Sequence, residues 1–208
     1  MDMTAMFKLS YGLYVVSSSY EGKDAACVVN TLSQITASPI QVSVAVNKDN
    51  FTCQQIQKSG RFEGVVLSED IDMGVIGTFG FQSSKDVDKF EGLAHERDTY
   101  GIPYLSEHVS ARVSCKVVQS VDVGTHILFI AEVEDAQHMV NEPVMTYSYY
   151  HQVKNGTTPK NASSYQPVEE KKSGWKCSVC GYIYEGDLLP EDFICPICHQ
   201  DASVFEKL

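Results

Sequence analysis

The chain has 208 residues, a formal net charge of −11, 43% hydrophobic and 21% charged residues. That composition excludes global disorder and allows one domain with a substantial core plus a small appendage. The charge excludes a phosphate-neutralising surface: residues 174–208 hold two lysines against six acids, and the +2 of residues 151–173 leaves the first 150 strongly acidic.

No segment reaches the length of a membrane span, and the opening residues lack a basic region followed by an apolar run. The expectation is a cytoplasmic protein that binds neither nucleic acid nor membrane. After a short helix-capable opening, residues 11–20 read as a strand, 21–24 as a turn and 25–35 as the returning strand. Residues 40–46 alternate apolar with small or polar side chains, the period of a strand with one buried face. A helix follows over 51–60, with Asn50 or Thr52 as N-cap and Gly60 as its stop. Residues 61–67 resume as a strand, 71–81 and 86–90 as helices, 109–121 and 125–133 as a long hairpin, and 145–150 as a last strand. Six or seven mostly antiparallel strands with few helices predict a closed sheet that hides its edges. Cys27, Cys53 and Cys115 lie in apolar contexts and read as small buried hydrophobes.

Residues 155–173 are polar, punctuated by proline and glycine, and read as a linker between a domain at 1–154 and a module at 174–208. That module carries Cys177-Ser178-Val179-Cys180 and Cys195-Pro196-Ile197-Cys198, separated by fourteen residues. Two facing C-x-x-C turns supply four thiolates for a tetrahedral zinc or iron. Trp175, Tyr182, Phe193 and Phe205 are expected to form the small core around them. In the larger domain, Lys48, Asn50 and Thr52 cluster where a helix begins, the arrangement of an anion cradle and equally of a solvated turn.

Asn30-Thr31-Leu32-Ser33-Gln34, Ser38-Pro39 and Val44-Ala45-Val46-Asn47-Lys48-Asp49-Asn50-Phe51-Thr52, with Thr125-His126-Ile127-Leu128-Phe129, resemble the flavin reductase and flavoredoxin family. The tail, Trp175-Lys176-Cys177-Ser178-Val179-Cys180-Gly181-Tyr182 with Cys195-Pro196-Ile197-Cys198, resembles rubredoxin. Its short inter-pair gap is closer to the rubredoxin domain of rubrerythrins. His199 stands where the family has a glycine; glycine easily adopts the positive φ that points a backbone N–H at sulfur, and histidine does so only at some cost. The whole arrangement resembles the high-molecular-weight rubredoxins, NAD(P)H-linked flavoproteins of anaerobes that feed flavodiiron proteins.

The resemblance implies a mainly β, antiparallel FMN-binding split β-barrel followed by a small rubredoxin-like metal domain. Asn30, Thr31, Gln34 and Ser38 would contact the flavin or its ribityl chain. Val46 and Asn47 would approach the ring through backbone groups, Lys48, Asn50 and Thr52 would hold the phosphate, and Ser83 and Lys89 would form a second wall. His126 would orient a nicotinamide, and Tyr147, Tyr149 and Tyr150 either line the flavin or pack, packing being the preferred reading. Cys177, Cys180, Cys195 and Cys198 would bind one iron cycling between Fe2+ and Fe3+. The implied function is electron transfer from NAD(P)H through FMN and iron to a flavodiiron protein, by a homodimer, in oxygen or nitric oxide detoxification. The competing readings are a structural zinc knuckle for protein binding and a reductase that releases reduced FMN.

Overall fold

The computed structural model describes residues 3–154, 156–159, 162–165 and 174–208; the rest of the expected linker lies outside the described residues. After a 3-10 turn over Met3–Lys8, β1 (Tyr14–Tyr20) and β2 (Lys23–Val29) form a hairpin through Glu21-Gly22. The expected single strand over 25–35 is instead two. At the break, Thr31 turns its hydroxyl onto β4 (Ile40–Asn47), donating to the Ala45 carbonyl at 2.9 Å and accepting from its N–H at 3.1 Å. The chain then resumes as β3 (Ser33–Ala37), paired with β4 through the exposed Ser38-Pro39 turn.

In β4 the alternation holds: Val42, Val44 and Val46 are buried. The helix α1 (Phe51–Ser59) starts at Asn50, whose side chain accepts from the Thr52 N–H, and ends at Gly60, left-handed at φ 69. Strand β5 (Arg61–Leu67) and α2 (Met73–Phe81, capped by Asp72) follow close to expectation. Residues 86–90 form turns rather than a helix, because Ser83 and Asp88 bond the backbone two residues on. A short pair, β6 (His95–Arg97) and β7 (Pro103–Leu105), was not expected. The long hairpin is β8 (Val109–Asp122) and β9 (His126–His138). The expected last strand is the helix α3 (Tyr147–Gln152), because the Thr146 hydroxyl caps it by accepting from the Tyr149 N–H.

Seven strands form one antiparallel sheet in the order β2-β1-β5-β8-β9-β4-β3. It curls until β2 approaches β4, closing the split barrel. One core holds Val16, Val44, Phe62 and Phe129 inside the barrel with Cys53 and Ile56 of α1. Cys27 and Cys115 join it as the expected small hydrophobes. A second core, with Leu67, Ile76, Phe79 and Met145, seats α2 and α3 on the outside. The small domain has a three-stranded sheet of β10 (Trp175–Cys177), β11 (Ile183–Tyr184) and β12 (Phe205–Lys207). Trp175, Tyr182, Phe193 and Phe205 pack with the four cysteines, as expected.

Candidate functional site

The four cysteines are buried, and their sulfurs lie within 4.8 Å of one another. Cys177 and Cys198 stand 3.6 Å apart and Cys180 and Cys195 3.5 Å apart. Thiolates about 2.3 Å from a tetrahedral metal stand roughly 3.8 Å from each other, so the cage fits iron or zinc with little movement. Two matching turns build it. The Gly181 N–H donates to the Cys177 carbonyl at 2.8 Å, and the His199 N–H to the Cys195 carbonyl at 3.0 Å. Both close on a left-handed residue, Gly181 at φ 79 and His199 at φ 56, so the histidine does take the glycine's conformation. The Cys180 S–H and the backbone N–H groups of Cys198 and Ile197 hold the Cys195 thiol well below the usual cysteine range. Burial pushes the Cys198 thiol up. Backbone donors aimed at sulfur are what an anionic ligand shell requires.

The second feature is an open cleft that encloses about 680 Å³ when its mouth is included. Asn30, Thr31, Val46, Asn47, Asn50 and His126 line it, six of the residues expected to meet flavin or nicotinamide. They converge because the β2–β3 break, the end of β4 and the start of β9 share one end of the barrel, with Asn47 paired to His126 in register. His126 is half-buried, and its Nδ1 lies 2.8 Å from the Thr125 hydroxyl.

Six expected contacts are not brought to the cleft wall. Thr52 is fully buried, because α1 turns it into the barrel, where its hydroxyl meets no hydrogen-bond partner among the described residues. Gln34, on the exposed β3, donates to the Thr36 carbonyl at 3.1 Å. Ser38 lies in the exposed hairpin turn, and Ser83 bonds the Lys85 N–H. Lys89 is buried, its ammonium donating to the Ala26 carbonyl at 2.8 Å and the Phe79 carbonyl at 3.0 Å. Burial lowers its pKa to about 8. Lys48 sits in the same turn as Asn47 and Asn50, paired with Asp122 at 2.6 Å.

The far wall was not anticipated. Residues 157–159 and 162–164, expected as linker, lie across the cleft. Asn30 donates to Ser164 at 3.0 Å and accepts from Ser163 at 3.1 Å. The Tyr147 hydroxyl lies 2.7 Å from both Thr158 and Ser164, and Tyr150 donates to the Thr157 carbonyl at 2.8 Å. Both tyrosines line the cleft besides packing. The signal for this strap is the run of hydroxyl side chains at 157, 158, 163 and 164, which composition alone assigns to a linker.

Residues 6–157 match the flavin reductase like domain, and residues 175–206 the rubredoxin-like domain of rubrerythrin. High molecular weight rubredoxin from Moorella thermoacetica is 37% identical over 100% of both chains. Ferric-chelate reductase (NAD(P)H) from Archaeoglobus fulgidus is 40% identical over 79% of this chain and 98% of its own. Among solved structures, flavin reductase PheA2 superposes with a TM-score of 0.59 at 27% identity, covering 68% of this chain and 88% of its own. Flavoredoxin from Methanosarcina acetivorans shares the fold at a TM-score of 0.57 and 20% identity, covering 62% and 69%. The cleft and the four-cysteine cage accordingly support a flavin and an iron as the cofactors of an oxidoreductase. The chain belongs to the flavin reductase-like family and joins to that domain a C-terminal rubredoxin-like domain, the arrangement of high molecular weight rubredoxin.

Proposed function

We propose that the protein takes electrons from NAD(P)H at an FMN held in the cleft and passes them to one iron in the Cys177, Cys180, Cys195 and Cys198 cage. A redox partner such as a flavodiiron protein then receives them, in the removal of oxygen or nitric oxide in an anaerobe. The observation that carries this reading is that two residues touch both sites. Phe81 lines the cleft and packs on the core that holds the cysteines. Thr157 lines the cleft and donates to the Cys180 carbonyl at 2.8 Å. A flavin accepts two electrons from a nicotinamide and releases them singly to a one-electron metal, chemistry that the cofactors supply and the protein orients.

In this reading Asn30 and Thr31 meet the flavin, Asn47, Lys48 and Asn50 hold its phosphate at the start of α1, and His126 orients the nicotinamide at the mouth. The exposed strand β3 with its Ile35, and Ile40 at the start of β4, both open to solvent, fit a homodimer. Seven unbridged cysteines fit the reducing conditions of the cytoplasm.

The test is an anaerobic absorption spectrum of the purified protein before and after NADH or NADPH. Flavin and thiolate-to-iron bands should both be present and both bleach. Flavin that bleaches while iron stays oxidised contradicts the internal relay. Stoichiometric zinc in protein made with ample iron favours the protein-binding reading.

A further inference from the structure

The helix α2 carries glycine at 74, 77 and 80, and the three face different neighbours. A Cβ on Gly80 would meet only Val28, at 3.7 Å. On Gly77 it would overlap the Ile197 carbonyl oxygen and lie 2.9 Å from the Cys198 Cα, both backbone atoms of the metal loop. On Gly74 it would lie 2.7 Å from Cε1 of His199 and 2.8 Å from the capping carboxylate of Asp72. Met73 and Phe81, at the two ends of the helix, pack on the small core beside the cysteines.

Each interior glycine weakens a helix by about 1 kcal/mol relative to alanine. His199 adds a left-handed backbone that costs on the order of 1–3 kcal/mol for a residue with a side chain. Both costs are local to the place where helix and loop meet. Ile76, Gly80 and Phe81 of the same helix also line the cleft. One helix is therefore the shared wall of the two sites, with the metal loop against its backbone.

We propose that the Gly74–Gly77 side of α2 is the seat of the metal loop at 195–199, and that these two glycines are positioning residues for electron passage between cleft and cage. The inference rests on the relay reading above. Each passage moves one electron: the reduced flavin is oxidised by one equivalent and one ferric iron becomes ferrous. No bond between heavy atoms forms or breaks, and NAD(P)H, which gives two electrons, serves two passages, the ferrous iron returning to ferric by giving its electron to the redox partner between them.

The test compares full-length Gly77→Ala, Gly74→Ala and the double variant Gly74→Ala with His199→Gly. Anaerobic stopped-flow spectra follow flavin and iron separately, and small-angle scattering of the zinc-loaded protein reports docking without electron flow. Gly77→Ala should keep wild-type flavin reduction, slow iron bleaching about tenfold or more, and enlarge the radius of gyration. Gly74→Ala should slow iron bleaching less, because a side chain rather than backbone is displaced, and His199→Gly in that background should restore most of the rate. Wild-type scattering and iron bleaching in Gly77→Ala would overturn the seat, as would no recovery in the double variant. Should Gly77→Ala fail to fold by circular dichroism, the Gly74 pair decides. If iron in the wild-type protein never bleaches, the relay is what fails, and scattering alone judges the seat.

Discussion

The Thr157 hydroxyl donates to the Cys180 backbone carbonyl across 2.8 Å, tying the strap over the cleft to the first metal turn. Thr157→Val keeps the shape and removes the donor, which weakens the tie by about 1 kcal/mol, roughly fivefold in the docked population. Hydrogen exchange of the amides at 177–181 in zinc-loaded protein should quicken accordingly, with the melting of the barrel unchanged.

Asn30 holds the strap through both ends of its amide, to Ser163 and Ser164. Asn30→Ala should release residues 162–165, seen as faster exchange there. FMN affinity should fall by about fivefold or more, on the order of 1 kcal/mol for each hydrogen bond lost. Titration of the flavin-free protein with FMN measures it.

Lys89 joins β2 to α2 by donating to Ala26 and Phe79. Lys89→Met leaves both carbonyls short of a donor, at a cost of about 3 kcal/mol. Urea unfolding should show that loss, while the folded fraction binds FMN as the wild type does. An unchanged midpoint with weakened FMN would instead return Lys89 to the cofactor wall.

Glu63 is fully buried on β5, and burial raises its pKa from 4.5 to about 7 despite the Arg112 guanidinium 3.1 Å away. Between these values the folded chain keeps a proton that the unfolded chain has lost. Stability contributed by the protonated form is therefore complete below about pH 4.5 and declines as pH rises to about 7, by at most about 1.4 kcal/mol per unit. Glu63→Gln should flatten that decline, measured by denaturant unfolding across the interval.

Much of the barrel was legible in the chain because its signals are local. Alternation marks β4, Gly60 stops α1, and valine-rich runs mark β8 and β9. The errors arose where one side chain overrode a composition: Thr31 breaking a strand, Thr146 capping a helix, Ser83 and Asp88 making turns. For the site, the spacing of the four cysteines sufficed, since a C-x-x-C turn closes on itself. The cleft was half legible: Asn30, Asn47, Asn50 and His126 are brought together, whereas Thr52 and Lys89 point into the interior.

By itself, then, the sequence determined the thiolate cage, because it depends on residue types at short spacing, whereas the cleft at the end of the β-barrel was implied by the family resemblance. Tertiary structure alone decided how they meet. The strap at 157–159 and 162–164, the glycine seat on α2 and the left-handed His199 acquire meaning only from residues that contact them from elsewhere in the fold. Packing between segments more than a hundred residues apart, as between Gly77 and Ile197, leaves no periodicity along the chain to read.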